Sequence, residues 1–282
     1  MELQGITKDL DARGIALFAI SYDAVETLAG FAAKHGITYP LLADSGSRVI
    51  HELDMLDEDL DKHHAEFGRP VADDQRGVAY PGVFLLNREG VVVKKRLHPN
   101  YRRRDTGSGL LEEFLGIPAS EHGPEEVAPG DVVTVRAYLD SPTYRWHQRL
   151  HLMLEVTVAP GWHVYGTPIP DGYVPLGVQV EPISGLETGR PSWPAPHPFR
   201  LEGLDEEFWV LEGTVRGSVP LTLTADPGAG DVTIRARVHY QACSETTCRP
   251  PTTVRFELPI RELALVERTL PKRDPPSPVV DQ

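Results

Sequence analysis

The chain has only two cysteines in 282 residues. Two cannot build a disulfide-rich scaffold or a four-cysteine zinc site. Basic side chains are also scarce, with 28 Lys and Arg against 41 Asp and Glu and a net charge of −13. Nucleic acid and anionic membranes both require a basic face, so neither is expected as a partner. No apolar run approaches the ~20 residues of a membrane-spanning helix, so no membrane span is expected. The opening MELQGITKDL holds no basic region followed by an apolar stretch, and no signal peptide is read in it. Gly-rich phosphate loops and serine nucleophile elbows are missing too, and no cofactor or metal is expected. What is present is a 40% hydrophobic composition and a length that suits about two domains.

The two halves differ in periodicity. Early on, Ile15 to Ile20 is a short apolar run that reads as a strand buried on both faces. Val25, Leu28, Ala29, Ala32 and Ala33 recur at helical spacing, with Gly36 as the stop. Tyr39 to Ala43 reads as a strand and Ser47 to Leu53 as a helix. Val83 to Leu86 and Val91 to Val93 flank Asn87-Arg88-Glu89-Gly90 as a β-hairpin, and a last helix covers about Gly109 to Leu115. This order implies an α/β layer structure over residues 1–118. Segment 119–130, rich in Pro, Gly and Glu, reads as a linker.

Beyond the linker the period is two. Leu150, Leu152, Leu154, Val156 and Val158 alternate with largely polar neighbours, as do Val232 to Tyr240 and Val254 to Ile260. Strands near 131–139, 174–181 and 217–225 complete a set separated by Pro- and Gly-rich turns. An antiparallel β-sandwich over 131–265 is expected, followed by a disordered tail at 266–282.

The first half resembles the thioredoxin-like redoxins, in particular the alkyl hydroperoxide reductase/thiol-specific antioxidant branch (AhpC/TSA). The likeness rests on GIALFAISYD, FAAKHGITYPLLAD and GVAYPGVFLLNREGVVV. It implies that Tyr80-Pro81 is the family's cis-proline, with Pro81 opposite the active-site cysteines. That chemistry needs a thiolate, and residues 1–118 hold no cysteine, so no peroxidase or reductase activity is assigned to them. In relatives a strand and the active cysteines precede the helix that Glu2–Ala12 matches. The domain is therefore expected to be an incomplete thioredoxin-like fold. Its 15–20 and 83–86 strands would lose their shared neighbour. Either the sequence is an N-terminally shortened form, the favoured expectation, or the domain survives as a docking module.

The strongest chemical signal is YQACSETTCRPP, which joins two alternating strands. A short hairpin can bring Cys243 and Cys248 within disulfide range, and Pro250-Pro251 stiffens its far side. The loop is too small for cross-linking to gain much denatured-state entropy, which favours a redox-active pair over a static staple. A static disulfide, two unrelated thiols, and half a zinc site lacking two adjacent ligands are the alternatives.

This hairpin, together with TVRFELPI, PGWHVY and DEEFW, is similar to the N-terminal domain family of the thiol–disulfide interchange protein DsbD. The resemblance implies an immunoglobulin-like sandwich, a thioredoxin-like redox partner and an extracytoplasmic location. By position, Cys243 and Cys248 match the redox pair, with Cys248 forming mixed disulfides. Phe208 matches the cap phenylalanine, while Tyr165 and Glu207 match residues beside the cysteines. A mobile aromatic lid would hide the thiolate from stray oxidants until a partner docks. Glu207 would raise the thiol pKa by like-charge repulsion. Phe208 and Tyr165 also fit as plain core and strand aromatics. His163 stands where the family commonly has an aromatic.

Two further clusters read as solvated surface. Asp57-Glu58-Asp59-Leu60-Asp61 has calcium-like spacing, but Lys62 and Gly68 occupy the positions of the essential Gly and Glu. Lys94-Lys95-Arg96 and Arg102-Arg103-Arg104 are basic patches on an acidic chain. The expected function is thiol–disulfide exchange through Cys243–Cys248, coupled to the redoxin-like half. The alternative is a non-catalytic docking protein with a structural disulfide.

Overall fold

The computed structural model describes residues 2–65, 68, 70–98, 103–200, 207–224 and 230–263. The expected tail at 266–282, Arg102 and the Asp205-Glu206 part of the expected cap loop lie outside them.

In the first half, β1 (Ala19–Ser21) runs parallel to β2 (Leu41–Ala43), with the helix Val25–His35 crossing between them. Gly36 ends that helix in the left-handed region at φ 62° and returns its N–H to the Ala32 carbonyl, as the sequence predicts. The expected hairpin forms from β3 (Gly82–Leu86) and β4 (Val92–Leu97), paired antiparallel. Asn87 Oδ1 fixes its turn by accepting from the Glu89 and Val91 N–H groups at 3.2 and 2.9 Å.

The β1–β2 and β3–β4 pairs stay separate two-stranded sheets. This corrects the reading of Ile15 to Ile20 as a strand buried on both faces. Only Ala19–Ser21 is strand, and Phe18 and Ile20 are 57% and 47% exposed. A strand covered on both faces needs a wide sheet around it, and here β1 pairs only with β2. The apolar packing of this half centres elsewhere. Ile6 and Leu10 pack against Leu110, Leu111 and Phe114, with Val83 and Leu85 beside them.

The remaining strands are β5 (Arg104–Asp105), β6 (Glu125–Ala128), β7 (Val133–Leu139), β8 (Thr143–Tyr144) and β9 (Gln148–Val158). After them come β10 (His163–Tyr165), β11 (Gly177–Val180), β12 (Leu186–Thr188), β13 (His197–Arg200) and β14 (Glu207–Leu211). The last four are β15 (Thr214–Leu223), β16 (Val232–Tyr240), β17 (Ala242–Cys243) and β18 (Thr252–Glu262). One sheet runs β12-β15-β9-β7-β6 and another β11-β16-β18-β8. Their inner faces share one core, including Val135, Leu152, Leu154 and Val219 from the first and Ile234, Val238, Phe256 and Leu258 from the second. The period-two pattern produces this arrangement, because successive side chains point to opposite faces. A third sheet, β13-β14-β10-β17, carries the cysteine hairpin.

Several sequence expectations need correction at the junction. The linker 119–130 contains β6, which pairs antiparallel with β7, because Val127 and Ala128 reach the sandwich edge. β5, within 1–118, pairs parallel with β9. The basic patches are not simply solvated. Arg96 is largely buried and pairs with Asp105 at 3.4 Å and with Glu113, while Arg103 pairs with Glu187 of the sandwich. Nor is the acidic cluster all surface. Asp57 is buried with His63 Nδ1 at 3.2 Å, and Leu60–Ala65 is helical.

A buried polar triad also joins the halves. Thr106 Oγ1 donates to Asp140 Oδ2 at 2.7 Å and accepts from the Gly109 N–H at 2.9 Å. His151 Nδ1 lies 2.9 Å from the same carboxylate oxygen. All three side chains are fully buried, where an unpaired polar group would be costly.

Candidate functional site

The long antiparallel pairing of β16 with β18, from Val232↔Ile260 to Tyr240↔Thr252, delivers the connecting segment Gln241–Pro251 to one end of the sandwich. Its tip folds on itself. The Ser244 N–H donates to the Thr247 carbonyl and the Arg249 N–H to the Ala242 carbonyl, both at 2.8 Å. Gln241 ties the base by donating to the Arg249 carbonyl at 3.2 Å and accepting from the Val174 N–H at 3.2 Å. Cys243 and Cys248 face each other across an isolated antiparallel bridge and are disulfide-bonded, with Cα atoms 4.0 Å apart. This separation falls just below the usual disulfide range of about 4.4–6.8 Å.

The two sulfurs sit in different surroundings. Cys243 is 1% exposed and belongs to a cluster with Tyr165, Phe208 and Val210. Cys248 is exposed at the tip. The strand register explains the difference. Val164 and Ala242 form a cross-strand pair whose side chains enter the sandwich core. Their neighbours His163, Tyr165 and Cys243 therefore share the opposite face.

Tyr165 closes the buried side of the bond. Its hydroxyl lies 3.8 Å from Cys248 Sγ, and burial pushes its pKa up to about 12, so it remains a neutral phenol. Around it the aromatic rings interlock, with Tyr173 5.1 Å from Tyr165 and 5.0 Å from Phe208. Neither Tyr173 nor Phe199 was singled out from the sequence. Tyr173 follows the Asp171-Gly172 turn, and Phe199 sits in a short strand that follows Pro196 and contains Pro198, so neither carries a local periodic signal. At the mouth of the site, the Arg249 guanidinium lies 5.4 Å from the centre of the Trp162 ring.

Phe208 lies beside the pair, and two other sequence expectations fall differently. Phe208 is fully buried within β14, opposite Phe199, and forms one wall of the cluster that holds Cys243 and Tyr165. Glu207 is not beside the cysteines. Strand alternation turns it to the other face, where its carboxylate bonds Arg200 at 3.0 Å, so its charge faces away from the sulfurs. Pro81 lies far along the chain in the other half, and Tyr80-Pro81 is trans. Among the described residues the cis peptide is Thr167-Pro168. The Tyr80 N–H donates to the Met55 carbonyl and the Pro81 carbonyl accepts from the His98 N–H on either side of this bond, which keeps the ordinary trans preference of an X-Pro peptide.

Comparison with known proteins gives each half its own likeness. Residues 139–260 match the family model of the N-terminal domain of thiol:disulfide interchange protein DsbD, and residues 1–95 match that of the AhpC/TSA family. No curated protein matches the chain. Among solved structures, the chain is similar to the N-terminal periplasmic domain of ScsB from Proteus mirabilis. The identity is 17% and the TM-score 0.35, over 49% of this chain and 51% of that one. It is also similar to the Neisseria meningitidis DsbD n-terminal domain in the reduced form. There the identity is 16% and the TM-score 0.29, over 49% of this chain and 84% of that one. The chain thus spans about half the length of the ScsB domain that it matches.

Proposed function

We propose that the protein passes electrons by thiol–disulfide exchange through Cys243–Cys248, with a thioredoxin-like protein or domain as its partner. The observation that carries this reading is the asymmetry of the pair: one sulfur is exposed at a hairpin tip and the other is sealed beneath aromatic rings. A partner thiolate can reach Cys248 Sγ but not Cys243. Attack on Cys248 forms a mixed disulfide, breaks the Cys243–Cys248 bond and leaves the electron pair on Cys243. A second partner thiol then attacks the mixed disulfide, frees Cys248 and leaves the partner oxidised. The resulting dithiol can reduce another protein's disulfide by the reverse sequence.

The family matches support the same chemistry, and they support reading the halves as an immunoglobulin-like sandwich and a thioredoxin-like domain. The first half holds no cysteine, so within this reading it supplies a docking surface coupled to the redox pair and no thiol of its own. An exposed, exchangeable disulfide belongs in an oxidising compartment, which favours an extracytoplasmic location. Among the described residues no helix is long and apolar enough to cross a membrane.

Thiol trapping during a redox titration tests the proposal. A midpoint above about −300 mV is expected for an exchanging pair, and one well below it identifies a structural bond. In addition, Cys243→Ser should accumulate mixed disulfides with a thioredoxin-like partner, and Cys248→Ser should trap none. Equal trapping by both variants rejects the assigned roles.

A further inference from the structure

One buried polar group beside the disulfide has no task in the proposed exchange. His163 opens β10, is 2% exposed, and its Nε2 has no hydrogen-bond partner among the described residues. Buried polar atoms are rarely left in this state, and the exceptions call for an explanation. The register supplies one. His163 is the direct cross-strand partner of Cys243, on the face that carries Tyr165 and the disulfide. Cross-strand neighbours of this kind hold their Cβ atoms roughly 4.5–5.5 Å apart. Phe199 holds the imidazole in place at 4.5 Å between ring centres, as does Tyr165 at 5.3 Å.

We propose that His163 is the acid–base partner of Cys243, idle while the disulfide is closed and hydrogen-bonded to the Cys243 sulfur once it opens. This rests on the reading of the pair as redox-active. A disulfide sulfur is a weak acceptor, so the oxidised state leaves Nε2 unserved. Reduction creates a thiolate on the residue directly across from the imidazole, and a thiolate on a side chain only 1% exposed needs a donor.

In the reduction step, a reductant thiolate attacks Cys248 Sγ. The Cys243–Cys248 bond breaks and its electron pair goes to Cys243 Sγ. The proton that the reductant lost on forming its thiolate charges His163, and the imidazolium donates to that sulfur and hands the proton over, returning to neutral imidazole. The reductant's second thiol, as thiolate, then attacks the mixed disulfide. Cys248 leaves and takes up the second proton, and the reductant closes its own disulfide. One disulfide has become two thiols, and one dithiol a disulfide.

The surroundings suit a neutral imidazole. Glu212, just beyond the end of β14, and His197, on β13, face His163, and they pair with each other at 3.4 Å. Tyr165 on β10 is a neutral phenol, and Cys243 on β17 is the reacting group. Burial pushes the His163 pKa below the ordinary histidine value; His197 adds to this and Glu212 opposes it.

The test uses the full chain and dithiothreitol as reductant, with rates divided by the dithiothreitol thiolate concentration from pH 5 to 9. Wild type is compared with His163→Phe, which keeps the aromatic packing, and with His163→Gln, which keeps a donor but cannot titrate. Tryptophan fluorescence checks that each variant is folded. The wild-type profile should show an inflection below pH 6.5. His163→Phe should react at least about 10-fold more slowly at pH 7, a smaller effect than the roughly 100-fold at which general acid–base contributions typically begin. His163→Gln should fall between and lose the inflection, and it decides the question alone should the Phe variant not fold. Variants that match the wild-type rate and profile overturn the role of His163 while leaving the redox pair standing. A wild-type disulfide that dithiothreitol does not open overturns both.

Discussion

Replacing Phe208 with Ala separates the two structural roles open to it. The ring is fully buried in β14, against Tyr165 at 5.5 Å and Tyr173 at 5.0 Å. Removing such a ring loses its transfer energy and leaves a cavity that the flanking strands cannot collapse into, because β10 and β13 hold β14 on both edges. The expected cost is about 3–5 kcal/mol. With a urea dependence of about 2 kcal/mol per molar, the midpoint should fall by roughly 1.5–2.5 M. Tryptophan fluorescence suits the measurement, since Trp146, Trp162, Trp193 and Trp209 all lie in the β half. The oxidised protein should be used, so that the disulfide is constant. A lid folded over the cysteines from a loop would behave differently. Its truncation would speed reduction and change stability by no more than about 0.5 kcal/mol, or roughly 0.25 M. A midpoint shift that small would refute the wall described by the strand register.

The other predictions concern the junction between the halves. Burial alone would raise the Asp105 pKa, but the hydrogen bond from His98 at 3.0 Å and the charges of Arg96, His98 and Arg149 outweigh it and hold the carboxyl below its usual value. The depressed folded pKa means that the carboxylate contributes stability above its unfolded pKa of about 3.9, lost as pH falls through the folded value. Asp105→Asn should therefore melt well below wild type at pH 6, by about 3–5 kcal/mol, with the gap narrowing below pH 4; a gap independent of pH contradicts this account. Gly109→Ala would place a Cβ 2.6 Å from Asp140 Oδ2 and 2.8 Å from His151 Nδ1. Thermal unfolding should drop by about 1–3 kcal/mol as the triad is forced apart, and an unchanged melting temperature would show that the triad yields freely.

The β half was legible because its signals are local. Period-two alternation in Leu150–Val158, Val232–Tyr240 and Val254–Ile260 is a direct record of which face each side chain occupies. The strands formed where it runs. Cys243 and Cys248 were legible for the same reason, being five positions apart between two such strands. Phe208 and Glu207 show the limit. Being adjacent, they cannot both face the cysteines once the segment is a strand, and likeness of sequence carried no information about which would. The linker reading failed at Glu125–Ala128 because Pro and Gly composition marks its ends and says nothing of an edge that β7 leaves open. Arg96 and Arg103 read as solvated because their partners Asp105, Glu113 and Glu187 come from other elements.

By itself the sequence determined that thiol chemistry in this chain can involve only one pair, that the pair lies in the alternating half, and that residues 1–118 have no thiol to offer. Composition and short-range spacing suffice for that. Tertiary structure decided which cysteine is exposed and which is buried, that Phe208 is a wall and Glu207 an outward charge, and that His163 stands directly across from Cys243. Those depend on strand register. A shift of one residue would move every side chain to the opposite face, and register is set by packing between strands far apart in the chain.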